Sequence, residues 1–232
     1  EIARLLIEYG ADINAKDKQK QTPLQRAVFY SNLETALVIA EYGPSLDFTF
    51  VDVAPLPWVL YFDVSDELAA TFVMFGADFH NAHEVEGEDF LPPFEYAARN
   101  GMYRTVGAML MMGADPGTQI DNMPLLGFIL ETEEISEMND TILRDLIIQG
   151  ASVDVVYKEE NLASFLIFED LSYELDTTVF AYCKKEEIGQ DAAHHLLWEA
   201  TRESDVKTVQ LILSMGLNLI PEPECLTSAI WN

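Results

Sequence analysis

Four histidines, two cysteines and forty carboxylates are the side chains through which this 232-residue sequence could do chemistry. Their spacing argues against most of it. His80, His83 and Glu84 lie close together, but no cysteine joins them at a zinc-like interval. His194 and His195 are adjacent and so point to opposite sides of any regular element. Acidic runs at 84–89 and 131–140 lack the Asp-x-Asp-x-Asp-Gly order of a calcium loop and read as solvated surface. Carboxylates are too abundant for one pair to stand out as an acid/base couple. Cys183 and Cys225 have no identifiable base partner. The chain carries neither a glycine-rich phosphate loop nor a Gly-x-Ser-x-Gly elbow. The expectation is a protein that is not an enzyme, with no catalytic residue, no metal and no cofactor.

The charge balance narrows the partners. Thirteen basic side chains against forty acidic ones give a formal net charge of −27. Residues 1–83 contribute −7, residues 84–190 contribute −16 and residues 191–232 contribute −4. Phosphate backbones need dense Lys and Arg, so direct nucleic-acid binding is not expected. Anionic membrane surfaces are disfavoured for the same reason. A basic protein partner would be steered toward such a surface, although acidity also serves solubility alone. No apolar run approaches the ~20 residues that span a bilayer, so a soluble chain is expected. Two cysteines are too few for a disulfide scaffold, which suggests a reduced intracellular compartment, cytoplasmic or nuclear, with a secreted effector as the alternative. The sequence opens at Glu1 in mid-pattern and reads as an excised fragment, expected to act as a monomer.

Self-similarity supplies the elements. Short apolar stretches end at Gly10, Gly43, Gly76, Gly113, Gly150 and Gly216, at intervals of 33, 33, 37, 37 and 66. Halving the last interval lands on Cys183, preceded by Ala181-Tyr182 much as Gly10 is preceded by Glu8-Tyr9. Ile2, Leu5, Leu6 and Tyr9 fall at helical spacing, as do Leu143, Leu146 and Ile147, and Val209, Ile212 and Leu213. Glycine just beyond such a stretch suits the left-handed residue that ends a helix. Cys183 would be strained in that geometry, so the sixth unit is expected to be locally irregular. Upstream of the stops lie Thr22-Pro23-Leu24, Pro93-Phe94-Glu95 and Pro124-Leu125-Leu126, where proline suits the first turn of a helix. Each unit therefore reads as a turn, a helix, a short loop, a second helix and a glycine stop.

In Gly10-Ala11-Asp12-Ile13-Asn14-Ala15-Lys16-Asp17 followed by Thr22-Pro23-Leu24, the chain closely resembles the ankyrin repeat, and Asn100-Gly101 fits that family's break between its two helices. The resemblance implies an all-α solenoid of stacked repeats, a curved slab with a concave face. It makes residues 1–232 a single domain. A half repeat at 1–16 precedes full units near 17–49, 50–86, 87–117, 118–156, 157–189 and 190–222, and a partial unit at 223–232 closes it. Departures are Lys20 at the turn glycine, Pro55-Leu56-Pro57 in place of Thr-Pro-Leu, and a sixth unit without proline. One of His194 and His195 takes the place of the repeat's threonine, where helix capping is the simpler reading. Extra residues near Glu84–Asp89 lengthen a hairpin. A second insertion places Glu131, Thr132, Glu133, Glu134 and Glu137 between two helices, exposed. Leu6 and Asn14 also resemble the hairpin signature of asparaginyl hydroxylase substrates, against the simpler reading that Asn14 holds its hairpin.

The family binds partners through hairpin tips and exposed positions on the first helices. Carried over by position, the second unit offers Lys18, Gln19, Gln21, Phe29 and Tyr30, and the third Val51, Asp52, Ala54, Phe62 and Asp63. The fourth offers Glu88, Asp89, Leu91, Arg99 and Asn100, and the fifth Gln119, Ile120, Asn122, Leu130 and Glu131. Phe29, Tyr30 and Phe62 are either exposed anchors, each worth about 2 kcal/mol or more on truncation, or core residues repacked between units. Trp58 and Trp198, beside Leu in the helix opening, are expected as half-buried core. The functional expectation is a protein-binding module for a basic or mixed basic and apolar partner, as chaperone, inhibitor or adaptor. The competing one is a structural spacer or regulatory platform of a larger protein.

Overall fold

Thr22 opens the first complete helix pair by a reciprocal cap. Its hydroxyl accepts the Gln25 amide at 3.2 Å, and the Gln25 side chain accepts the Thr22 amide at 2.8 Å. Pro23 follows at the first helical position, where a missing N–H costs nothing. In the computed structural model, residues 1–50, 53–80, 84–85, 88–89, 91–132, 137–158, 160–168, 172–183, 188 and 190–214 are described. The chain divides into two compact units, Glu1–Ala114 and Asp115–Asn232.

The first unit contains α1 (Ile2–Glu8), then the pairs α2 (Pro23–Phe29) with α3 (Leu33–Ala40), α4 (Pro55–Tyr61) with α5 (Asp66–Met74), and α6 (Pro93–Arg99) with α7 (Tyr103–Met111). A two-residue hairpin, β1 (Glu84–Val85) against β2 (Glu88–Asp89), lies in the first insertion, as its sequence position implies. The second unit opens with β3 (Gln119–Ile120) paired to β4 (Met123–Pro124), then α8 (Leu125–Thr132) and α9 (Glu137–Ile148). A third hairpin, β5 (Val156–Tyr157) with β6 (Glu160–Asn161), precedes α10 (Leu162–Phe168) and α11 (Tyr173–Tyr182). The pair α12 (Gln190–Arg202) and α13 (Val206–Ser214) ends the described chain.

Five of the glycine stops behave as their spacing predicts, and Gly216 lies outside the described residues. Gly10, Gly43, Gly76, Gly113 and Gly150 all have positive φ, between 65° and 115°. Cys183 instead closes α11 with extended backbone, φ −80° and ψ 160°, and so avoids the left-handed strain a side chain would meet. A second left-handed residue breaks the helix pairs from within: Ser31, Asp63, Gly101 and Ser204. These breaks correct the register of the third unit by one residue. Its counterpart of Thr22-Pro23-Leu24 is Ala54-Pro55-Leu56, with Pro55 at the first helical position, so Phe62 matches Tyr30 and Asn100 as the residue capping its helix. The second insertion also differs from expectation, because Glu131 and Thr132 are the end of α8 and Glu137 begins α9. Residues 133–136 lie outside the described residues. Both histidines of the 194–195 pair sit inside α12, which begins at Gln190, so neither caps it.

Helices of seven to nine residues do not hold alone in water, and here neighbours supply the missing burial. Leu24, Ala36, Val59, Leu60, Leu68, Ala69 and Val73 are all fully buried in the first unit. Each large aliphatic side chain so removed from water contributes about 1.5–3 kcal/mol. Second helices pack in order, α1 on α3, α3 on α5 and α5 on α7. A polar tie crosses the last of these contacts. Ser65 caps α5 by accepting the Leu68 amide, while the next residue, Asp66, caps α7. The Asp66 carboxylate accepts the Arg104 and Thr105 amides at 3.0 and 2.9 Å and the fully buried Thr105 hydroxyl at 2.7 Å. Removing that carboxylate leaves free amides in the first turn of α7. Asp66→Ala is therefore expected to lower stability in urea denaturation by about 1–3 kcal/mol, and an unchanged midpoint would contradict this role.

Candidate functional site

The surface positions divide by what their neighbours already hold. Asp17 organises the first tip: one carboxylate oxygen accepts the Gln19 and Gln21 amides at 2.8 and 2.9 Å, and the other takes Arg26 at 2.8 Å. The Asp17 amide donates to the Gln21 carbonyl, and Lys20 closes the turn with φ 62°, the conformation in which the family's glycine is at ease. Lys18 and Gln19 are exposed at this tip and Gln21 is half-buried. The Gln21 amide and then the other donors, Arg26 among them, hold the Asp17 carboxyl below its usual range. Asn14 ties this hairpin to the next repeat, its side-chain oxygen accepting the Ser45 amide at 2.8 Å.

Aromatic side chains gather at the ends of the first helices. Phe29 ends α2 and Tyr30 caps it, their rings edge to face at 5.4 Å and their side chains 53% and 63% exposed. Arg26 lies over the Tyr30 ring at 5.1 Å. Phe62, 57% exposed, tilts against the half-buried Trp58 at 4.1 Å, Trp58 stacks on Phe50 at 5.2 Å, and Phe50 meets Phe48 edge to face. These rings extend from the residue 50–53 bridge to the end of α4, where the exposed Asp63 follows in left-handed geometry. Ala54 caps α4 with half-buried backbone, and Val51 and Asp52 lie outside the described residues. At the next position Arg99 is exposed but engaged with Glu95 at 2.8 Å, and Asn100 donates its side-chain amide to the Tyr96 carbonyl. Leu91 is 40% exposed, its carbonyl accepting the Tyr61 hydroxyl at 2.8 Å. Burial, with the nearby Tyr96 second, pushes Tyr61 up to about 12. Glu88 and Asp89 form β2.

In the second unit Asp121 and Asn122 are both left-handed, φ 52° and 62°, as a two-residue hairpin with native twist requires. Gln119 and Asn122 are exposed there. Ile120 is not: it is 1% exposed, because strand alternation turns it inward from Gln119. Leu130 is half-buried, and Glu131, though exposed, is held by the next hairpin. Lys158 and the Tyr157 hydroxyl both donate to the Glu131 carboxylate, at 2.7 and 2.8 Å, which lowers the Glu131 carboxyl, and the Glu131 partner raises the Lys158 ammonium. Tyr157 is raised chiefly by burial. Trp198 is half-buried in α12 beneath the Arg202 guanidinium, 5.0 Å away.

Of the candidate metal ligands of the sequence, His80 is exposed against the Phe79 ring, Glu84 is in β1, His83 lies outside the described residues, and His194 and His195 lie in α12. Of these, His195 meets two carboxylates that the sequence did not single out. Asp176 of α11 and His195 and Glu199 of α12 bring one donor atom each within 4.8 Å of one another. Asp176 is fully buried and Glu199 is 2% exposed. Two ionised carboxylates at such a distance repel by about 3 kcal/mol or more at an effective dielectric near 20. The interval from His195 to Glu199 is one helical turn, a signal in the sequence that the neighbouring His194 obscured.

Helix pairs with left-handed stops, joined by tight hairpins at intervals of 33–37 residues, define an all-α repeat protein of the solenoid class. Residues 1–38 match the family profile described as "Ankyrin repeats (many copies)". No curated protein matches the chain. Among solved structures, an ankyrin repeat domain from Acinetobacter baumannii AYE is 16% identical, covering 78% of this chain and 92% of its own, with a TM-score of 0.39. The human ASB11 ankyrin repeat domain is 15% identical, covering 94% and 93%, with a TM-score of 0.38. Among the described residues no helix is long and apolar enough to cross a membrane.

The depressed Asp17 carboxyl gives the first tip a pH dependence. Because the folded value lies below the unfolded one, its stabilisation is complete above about pH 4 and is lost as pH falls through the folded value. An NMR titration of the Asp17 carboxyl is expected to give a midpoint below 3.8, and a midpoint at or above 3.8 would contradict the hydrogen-bonded tip.

Proposed function

We propose that this chain binds a protein segment mixing basic and apolar residues, through the tips and first-helix ends of its repeats. Ankyrin repeats are protein-interaction modules, and the finer assignment draws on this chain's own residues. The observation that carries it is the exposure of Phe29, Tyr30 and Phe62, each more than half accessible at the end of a first helix. Rings of that size supply large contact area at small entropic cost and are the usual anchors of interfaces. To the same surface we assign the tip residues Lys18, Gln19 and Gln21, the Asp63 turn, Arg99 and Asn100, and, on their sequence positions alone, Asp52, Glu88 and Asp89. In the second unit Gln119, Asn122 and Glu131 play the corresponding part. A net charge of −27 raises the local concentration of a basic segment and speeds its encounter, while the rings fix where it docks. The role is binding, as chaperone, inhibitor or adaptor, without a reaction of its own.

Peptide arrays that hold apolar content constant and vary Lys/Arg against Asp/Glu test both halves of the reading. Basic members are expected to bind in dilute salt and to weaken at least tenfold near 0.5 M salt, where the screening length falls to a few ångströms. Phe29→Ala, Tyr30→Ala and Phe62→Ala combined leave the charge untouched, and are expected to weaken the same peptides at least a hundredfold. Unchanged affinity in the triple variant would place the binding surface elsewhere.

A further inference from the structure

We propose that Asp176, His195 and Glu199 form a binding site for one divalent transition cation, with Zn²⁺ the best match. The donors come from two facing helices of the second unit: His195 and Glu199 one turn apart on α12, and Asp176 on α11. A triangle of donors no more than 4.8 Å on a side has its centre about 2.8 Å from each corner. Zinc bonds to imidazole nitrogen and carboxylate oxygen run about 2.0–2.2 Å, so each donor closes by less than about 1 Å, within reach of side-chain adjustment.

Burial separates this cluster from the acidic surface. Glu199 is 2% exposed, its Oε1 accepts Arg202 at 3.3 Å, and its Oε2 has no hydrogen-bond partner among the described residues. Asp176 is 0% exposed on the facing helix. A buried carboxylate oxygen with an open lone pair, a second buried carboxylate and an imidazole are the donors a metal ion satisfies together, and its charge removes their mutual repulsion. One nitrogen and two oxygens select against Ca²⁺ and Mg²⁺, which take oxygen alone, and favour Zn²⁺ or a neighbouring first-row ion. His195 is only half-buried, which gives the ion a way in and leaves room for water as a further ligand. The site ties α11 to α12, two consecutive repeats, and is independent of the partner surface proposed above.

The test uses the whole chain, stripped with a chelator, loaded with ZnCl₂ in excess Mg²⁺ to occupy the exposed carboxylates, and passed through gel filtration. Elemental analysis is expected to find about one zinc per chain, and loading to raise Tm by several degrees, since an ion bound to the folded state alone stabilises it. Glu199→Gln and Asp176→Asn are expected to weaken zinc at least tenfold and to abolish the zinc-dependent rise in Tm. His195→Gln alters the least buried of the three ligands and serves where an amide variant fails to fold. Less than about 0.2 zinc per chain in the unaltered protein, or the same content in His195→Gln, would overturn the proposal.

Discussion

A helix of two turns exposes more backbone and apolar surface than it can satisfy by itself, and that shortage governs this protein. The pairs α2–α3 and α4–α5 each leave one face bare until the next pair covers it. Apolar contact between successive second helices supplies most of the cohesion, and polar ties set the register. Asp66 is the clearest tie, since it belongs to one repeat and caps the second helix of the next. In the second unit Tyr173, at the start of α11, donates to Asp205 at 3.0 Å, and Asp205 in turn accepts the Lys207 and Thr208 amides that open α13. Both arrangements link the start of a second helix to the start of its successor.

The recurring backbone was legible because it rests on residues with a unique conformational property. Glycine at five stops and proline at three helix starts announce left-handed and first-turn geometry. Where other residues take the same geometry, the signal fades. Lys20, Ser31 and Asp63 are left-handed without announcing it, so sequence pattern alone places the third unit one residue out of register. Cys183 shows the converse: without glycine the stop is replaced by extended backbone. Ile120 turns inward because a two-residue strand alternates sides, a detail too short for periodicity to reveal.

The candidate sites were legible unequally. Exposure at Phe29, Tyr30 and Phe62 follows from their place at the end of the first helix, a local property of one repeat. Asp176, His195 and Glu199 meet only because α11 packs on α12, a relation between repeats that no local spacing contains. Among forty acidic residues, Asp176 carries no mark in the sequence, and Glu199 is marked only by its one-turn distance from His195. Burial alone makes them unusual, because it replaces solvation with whatever the neighbouring helix provides.

The central claim is that each repeat is ordered by its neighbours. Leu68 is fully buried in α5, which packs on α3 before it and α7 after it. Native-state hydrogen exchange on Leu68→Ala tests the claim most directly, because a cavity there weakens both contacts. The account predicts that amides of α3 and α7 lose protection at least about tenfold alongside those of α5. Loss confined to α5, with its neighbours unchanged, would contradict it.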